Sequence, residues 1–316
     1  MSVLVVIVNY RTPGLTVDCL RSLAPELAEV QGARAIVTDN LSPDDSVPQI
    51  RKAIFDNAWG EWCTFLPLPK NGGFAYGNDE AIRAGLTPDI EFVWLLNPDT
   101  IVLAGALLEL VDFMRAHPKA GIAGGRAENR DGTVRRSSFR FPTPLGELEE
   151  AMRFAPLSKA LKGKIMAPPV SDVAVQAEWV SGASMIVRRE VFDRVGLLDD
   201  GYFMYYEETD FCIRAVRAGF ECWYVPQSRI IHLVGQSSGV TGAAKAVKRR
   251  PKYVFDSRKR FFNKNHGWLT LQLANLCWLV GYPIGTLWQR SRGKRRNDPP
   301  KLWWDFLRYN YLPYSR

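Results

Sequence analysis

The chain has 316 residues, enough for one large domain or two, and is 47% hydrophobic and 23% charged, an ordinary globular balance. Its formal net charge is +8, which points to nucleic acid, anionic lipid or a phosphorylated substrate. Its five cysteines are scattered and odd in number, which excludes an even disulfide framework and a close cysteine metal pair and suits a reducing compartment.

Residues 3–8 read as a buried strand that ends at Asn9. This run is too short for a signal h-region, so no secretory signal is expected. A helix follows over 16–28, with Leu15, Cys19, Leu20, Leu23 and Leu27 at helical spacing. Residues 33–38 form a second strand ending in Asp39 and Asn40, a helix's worth of chain runs to Asn57, and 64–68 are a third strand. Residues 71–78 are a glycine-rich turn opening a helix. The glycines at 72, 73 and 77 do not have dinucleotide-fingerprint spacing. Residues 92–96 are a fourth, continuously apolar strand that stops at Asn97, Pro98 and Asp99. A helix covers 103–116. Strand and helix thus alternate, which predicts a mostly parallel α/β sheet flanked by helices.

Beyond Gly121 the pattern weakens. Residues 121–132 are glycine-rich with a hairpin signal at Asp131 and Gly132, and 142–169 look irregular, either a mobile lid or a lipid-facing excursion. Residues 178–187 are strand-like, with Gly182 marking a bulge or a close ligand approach. A short helix spans 188–195. An aromatic segment, 203–206, runs into Glu207, Glu208 and Asp210 and then a helix to about 218. Two strands, 221–225 and 228–232, finish at His232 before a Gly/Ser loop.

The polar strand ends carry the chemistry. In open α/β sheets ligands bind at the carboxyl edge. Asn9, Asp39 and Asp99 all fall at such ends. Asp99 is a hard oxygen donor suited to a divalent cation that holds substrate phosphates. A turn and helix cap would also account for Asn97 to Thr100, and a loop cap for Asp39. Three carboxylates after an aromatic run are costly unless paired, exposed or used. They would equally suit a helix N-terminus, with Glu207 or Asp210 paired to Arg214.

Taken together, residues 6–10, 39–40, 71–78, 95–100, 179–183, 203–214 and 232–238 resemble glycosyltransferase family 2, the inverting nucleotide-sugar transferases of the GT-A (Rossmann-like) fold. The similarity covers about residues 1–265 and is strongest to enzymes that add rhamnose or related sugars to bacterial surface polysaccharides. The resemblance implies a metal site at Asp99 and His232, with Asn97 in the first place of the family's Asp-x-Asp motif. It implies Mg²⁺ or Mn²⁺ as cofactor. It assigns Asp39 to the nucleotide base, Asn9, Gly73, Phe74, Asn78 and Asn97 to the donor pocket, and Trp179, Ser181, Gly182 and Glu207 to the acceptor side. Glu208 takes the place of the catalytic base, where the family more often has Asp. The implied donor is a nucleotide-diphosphate sugar, dTDP-rhamnose or a UDP-sugar. The implied acceptor is a saccharide or a polyprenyl-linked one, and nucleic acid is not an expected partner. A nucleotidyltransferase on a similar fold and a basic nucleic-acid-binding protein are the alternatives.

Residues 265–289 contain no Lys, Arg, Asp or Glu, and basic clusters flank them. The stretch is long enough to span a bilayer, but Gln272, Asn275 and Pro283 weaken it as a span. Trp268, Trp278 and Trp288 suit an interfacial helix, and a core helix is the remaining option. The expected organisation is a catalytic domain over 1–240, with a nucleotide-sugar half to about 125 and an acceptor half from 126, then a basic, helical, membrane-proximal extension over 241–316. The expected location is cytoplasmic, peripheral on the inner face of a bacterial plasma membrane.

Overall fold

The structure is a computed structural model, and it describes residues 2–233 and 248–312. Residues 234–238, the end of the last motif, lie outside the described residues. The chain divides into two compact units. The first comprises Met1–Phe139, Pro169–Phe203 and Glu207–Gly239; the second comprises Arg140–Pro168, Met204–Tyr206 and Val240–Arg316.

In chain order the elements begin β1 (Ser2–Asn9), α1 (Pro13–Glu29), β2 (Arg34–Asp39), α2 (Ser46–Asp56), β3 (Cys63–Pro67), α3 (Gly73–Gly85) and β4 (Ile90–Leu96). Next come β5 (Thr100–Val102), α4 (Ala106–Ala116), β6 (Ala120–Glu128), β7 (Ser138–Phe139), α5 (Pro144–Met152) and α6 (Ala155–Ala160). Then follow β8 (Val175–Ala177), β9 (Trp179–Val180), β10 (Ser184–Arg188), α7 (Arg189–Val195), α8 (Glu207–Arg217) and β11 (Glu221–His232). The chain closes with α9 (Lys252–His266), α10 (Trp268–Ser291) and α11 (Leu302–Tyr311).

The first unit is built on a mixed sheet with strand order β3-β2-β1-β4-β10-β6-β11-β5, and β8 pairs with β11. Strands β3, β2, β1 and β4 run parallel, as the strand–helix alternation requires. Strand β10 is inserted antiparallel between β4 and β6, and β6 and β11 are parallel. All eight residues of β1 are buried, as expected for a strand covered on both faces. The chain leaves β1 toward β2 on one side, while β4 lies on the other. This order makes the carboxyl ends of β1 and β4 a topological switch point, the usual crevice for a ligand.

Two sequence expectations change, and one further stretch, glycine-rich after Ala120, is an interior strand, β6. Its glycines make room: a Cβ on Gly124 would lie 2.6 Å from the Val180 side chain, and one on Gly121 would lie 2.6 Å from Phe220. Residues 221–232 form one strand with a register shift between Val225 and Arg229, not two strands. The segment 142–169, read as irregular, contains α5 and α6, with Thr143 capping α5 by accepting from the Gly146 amide.

The second unit packs α5 against one face of α10. Gly281 and Gly285 permit the approach: a Cβ on Gly285 would sit 2.1 Å from the Met152 carbonyl oxygen. Trp278 stacks on Phe306 at 4.0 Å between ring centres. Asn275, which looked like a flaw in a membrane span, is buried and accepts from the Arg258 guanidinium at 2.6 Å. Arg258 also donates to Glu147 at 2.9 Å. Among the described residues no helix is long and apolar enough to cross a membrane.

Candidate active site

The site lies in the first unit, at the carboxyl edge of its parallel strands. Asn9 and Asp39 end β1 and β2 in register, so parallel pairing itself brings them side by side. Asn9 Nδ2 donates to Asp39 Oδ2 at 2.6 Å. Asn9 Oδ1 accepts from the Thr16 hydroxyl at 2.9 Å, and Asp39 accepts from the Ser42 amide at 2.9 Å and the Ser42 hydroxyl at 2.7 Å. Both side chains are fully buried, so their hydrogen bonds hold the pair in place at the carboxyl edge.

Helix α3 begins against this pair. Gly73 has φ +87°, and a Cβ there would lie 1.9 Å from the Phe203 carbonyl oxygen, so only glycine fits. The Gly73 carbonyl accepts from Asn40 Nδ2 at 2.8 Å, and the Phe74 amide donates to Phe203 O at 3.0 Å. Asn78 is buried and donates back to the Phe74 carbonyl at 2.8 Å. Asp79, beside it, is buried and accepts from the Leu198 amide at 3.0 Å. Burial pushes the Asp79 carboxyl up to about 7, although the Leu198 amide and Arg83 and Arg214 act in the opposite direction.

Strand β4 delivers the next group. Asn97 is tied in place by its amide, which donates to Ala183 O at 3.1 Å, and by its carbonyl, which accepts from the Thr100 hydroxyl at 2.8 Å. Antiparallel pairing of β5 with β11 sets His232 opposite Thr100. His232 Nε2 then lies 3.2 Å from Asp99 Oδ1 and 3.3 Å from the Asn97 side-chain amide. Asp99 is buried, and its carbonyl accepts from the Leu233 amide at 2.8 Å. Sequence positions 133 residues apart therefore converge through strand pairing.

Beside Asn97, the segment between β9 and β10 turns sharply instead of continuing as one strand. Trp179 stacks on Phe139 at 4.4 Å, and Ser181 Oγ accepts from the Ala183 amide at 3.3 Å. The bareness of Gly182 leaves room for the Phe74 ring, which would lie 3.3 Å from a Cβ there, and for Glu208, whose Cβ would lie at 3.9 Å. The three acids at the head of α8 have different environments. Asp210 is fully buried, pairs with Arg214 at 2.9 Å and accepts from the Tyr202 hydroxyl at 3.2 Å. Arg214 in turn donates to Leu197 O at 2.9 Å. Asp210 is thus a structural clamp. Glu207 is buried. Glu208 is half-buried, and its Oε2 is sealed from solvent without a hydrogen-bond partner. Burial raises the Glu208 carboxyl above its usual range, opposed by its own amide and that of Gly182. A carboxylate with one free oxygen and weakened hydration is disposed to accept a proton. The chain enters α8 through Tyr205 and Tyr206, both at φ +70°, a costly backbone conformation of the kind stored at functional sites.

A family model for glycosyl transferase family 2 matches residues 2–171. The chain belongs to this family. A second model, glycosyl transferase family group 2, matches residues 92–307. The protein is a glycosyltransferase, the first of the readings that the sequence offered. It is 28% identical over 279 residues to an N-acetylglucosaminyl-diphospho-decaprenol L-rhamnosyltransferase of Mycobacterium tuberculosis, covering 84% of this chain and 85% of that protein. It is 30% identical over 165 residues to the rhamnosyltransferase WbbL of Escherichia coli, covering 51% of this chain and 60% of that one. Among solved structures, a mannosyltransferase from Pyrobaculum calidifontis in complex with GDP-Man and Mn²⁺ superimposes with a TM-score of 0.59 at 14% identity, covering 92% of this chain and 74% of that one. The α/β fold with a sheet flanked by helices is the one that the family resemblance implies.

The donor atoms at Asp99, His232 and Asn97 are of the kinds that a divalent ion takes. Asp99 supplies a hard carboxylate oxygen, His232 an imidazole nitrogen, and Asn97 a neutral amide beside them. Among the described residues no group of three or more His, Cys, Asp and Glu is placed to hold a metal ion. Two protein ligands on a buried rim fit a cation that keeps waters and binds substrate phosphates, rather than a closed structural cage. Sequence reasoning did not single out Thr16 and Ser42, which hold Asn9 and Asp39. Their hydroxyls carry no motif signal, and only the strand register brings them to the pair.

Proposed function

We propose that this glycosyltransferase moves a sugar, rhamnose as the first candidate, from a nucleotide-diphosphate donor to a hydroxyl of a saccharide on a lipid carrier, with inversion and with a divalent cation, at a membrane surface. The observation that carries the reading is two unlike groups near the carboxyl edge: the Asp99–His232 pair just past β4 and at the end of β11, and Glu208, with its free oxygen, beside Gly182 and Phe74, where the neighbouring Ala183 carbonyl accepts from the Asn97 amide. The rhamnosyltransferase relatives support the choice of sugar, and the M. tuberculosis relative's printed activity supports a lipid-diphosphate-linked acceptor.

Residues before about 125 then bind the donor. Asn9 and Asp39 frame the base, and Gly73, Phe74, Asn78 and Asn97 line the nucleotide-sugar. Asp99 and His232 would hold Mg²⁺ or Mn²⁺, which when bound neutralises negative charge on the diphosphate leaving group. Trp179, Ser181, Gly182 and Glu207 line the acceptor side. Glu208 accepts the proton of the acceptor hydroxyl as that oxygen bonds to the anomeric carbon and the bond to the diphosphate breaks. A single base opposite the leaving group gives inversion, so no second carboxylate acts as a nucleophile.

The test is a donor screen for nucleotide-diphosphate release, with and without a lipid-linked acceptor, on wild type and Glu208→Gln. The substitution keeps the size and removes the basicity. Turnover should fall about 100-fold or more with donor affinity nearly unchanged. The raised Glu208 carboxyl predicts that wild-type kcat/KM loses activity on acidification above the ordinary glutamate range. Normal turnover by Glu208→Gln, with loss in Glu207→Gln instead, would reassign the base.

A further inference from the structure

Helix α10 is 24 residues long and has two apolar faces, only one of which is used inside the protein. Leu271, Ala274, Asn275, Trp278, Gly281 and Gly285 are buried. On the opposite side Leu269, Leu273, Leu276, Val280, Ile284 and Leu287 are 76, 52, 57, 47, 46 and 66% exposed. Their spacing of 4, 3, 4, 4 and 3 residues is helical, so they form one straight aliphatic stripe. At 1.5 Å per residue the stripe is about 27 Å long. Isolated exposed leucines need no explanation, but a continuous stripe of six marks a surface that something apolar covers.

Charge identifies the occupant. The second unit, to which α10 belongs, holds 22 Lys and Arg against 6 Asp and Glu, a formal net charge of +16; the first unit holds 19 against 27, net −8. The +8 of the whole chain therefore conceals a basic unit and an acidic one. Four of the second unit's six acids are already engaged within it: Glu147 with Arg258, Asp256 with Lys252, Asp298 with Arg296 and Asp305 with Arg249. Exposed cations stand at both ends of the stripe, with Lys264 before it and Arg290, Arg292, Lys294 and Arg295 after it. Trp268 and Trp288, 62 and 37% exposed, stand near the two ends of the helix. An apolar face bounded by indoles and cations is the pattern of a helix lying in the headgroup region of an anionic bilayer. No described helix, this one included, is long and apolar enough to cross a membrane.

We propose that the exposed stripe of α10 is the surface by which this chain docks on an anionic membrane, with the helix in the plane of the interface and the flanking cations on lipid phosphates. This deepens the reading of a membrane-borne acceptor and rests on it. The stripe provides apolar insertion, and the basic unit provides long-range attraction that fades with salt.

Sedimentation with vesicles of equal parts phosphatidylglycerol and phosphatidylcholine tests this on the full chain. Wild type should bind, bind far less to phosphatidylcholine alone, and weaken as salt rises. The triple variant Leu273→Gln, Leu276→Gln, Val280→Gln should lose about 100-fold or more in affinity, since three partly inserted aliphatic side chains are removed. Its melting temperature should not fall, because these side chains face solvent. Should the triple variant fold poorly, the single change Leu276→Glu carries the same comparison. Wild type that ignores anionic vesicles, or a folded stripe variant that binds them as tightly as wild type, overturns the proposal. So does a wild-type dimer in light scattering that the triple variant converts to monomer without vesicle binding, because the stripe then belongs to a second copy. Donor turnover with a lipid-linked acceptor presented in detergent micelles is read in parallel. Its absence counts against the proposed donor and acceptor and leaves the docking surface standing, while vesicle failure with intact turnover does the reverse.

Discussion

Asp79 gives a prediction with a magnitude. It sits one residue after Asn78 on α3, 1% exposed, with Oδ1 accepting from the Leu198 amide at 3.0 Å. Burial raises its carboxyl from 3.8 to about 7, with Asp200 adding to the rise and Arg83 and Arg214 opposing it. Below both values the carboxyl is protonated whether the chain is folded or not, and nothing is lost. Between them the unfolded chain releases the proton and the folded chain keeps it, so stability falls as pH rises. Above the folded value the penalty levels off. About three pKa units at about 1.36 kcal/mol each give a plateau near 4 kcal/mol. Of this, about 2.5 kcal/mol develops between pH 5 and pH 8. Asparagine cannot ionise, yet it keeps an acceptor for the Leu198 amide. Asp79→Asn should therefore gain stability over wild type, and the gain should grow by about 2.5 kcal/mol from pH 5 to pH 8. Urea unfolding of both proteins at the two pH values measures this. An equal difference at both pH values, or a variant that loses ground as pH rises, refutes the reasoning.

Two further predictions concern the metal and the second unit's packing. Asp99→Ala and His232→Ala should each raise the Mn²⁺ concentration for half-maximal turnover more than tenfold, on the scale seen when a metal site loses support; undiminished wild-type activity in excess chelator rules out the metal assignment. Gly285→Ala drives a methyl to 2.1 Å from the Met152 carbonyl and should destabilise the α5–α10 pair by about 1–3 kcal/mol. Gly163→Ala, which meets no neighbour and has no positive φ, is the control and should leave stability nearly unchanged. Equal melting temperatures for Gly285→Ala and wild type would show that the helices do not approach so closely.

The residues before Ala116 determine their own structure because each run carries its period and its stop. Continuous apolar strands such as β1 and β4 must be buried on both faces, and the helices between them make a parallel sheet the economical solution. The polar ends Asn9, Asp39 and Asp99 follow directly, since parallel strands finish at one edge. The acid cluster at Glu207, Glu208 and Asp210 was equally visible, but its division of labour was not. Only packing separates Asp210, clamped by Arg214 and Tyr202, from Glu208, whose Oε2 has no partner. The interior place of the glycine-rich β6 was hidden for a related reason. Its glycines are selected by the Val180 and Phe220 side chains that press on them, and those lie far along the chain. The meeting of Asp99 with His232 likewise depends on β11 reaching β5 across the sheet. In α10 the sequence declared an uncharged, tryptophan-rich helix and could not say which side faced inward. The answer came from α5, whose close approach needs Gly281 and Gly285 and leaves the leucines of the other face in the open. Local periodicity is a property of neighbouring residues, so the sequence by itself determined most of the elements before Ala116 and their polar ends. Which side chains meet, and which are left without a partner, is decided by contacts between distant segments, and only the tertiary structure holds those.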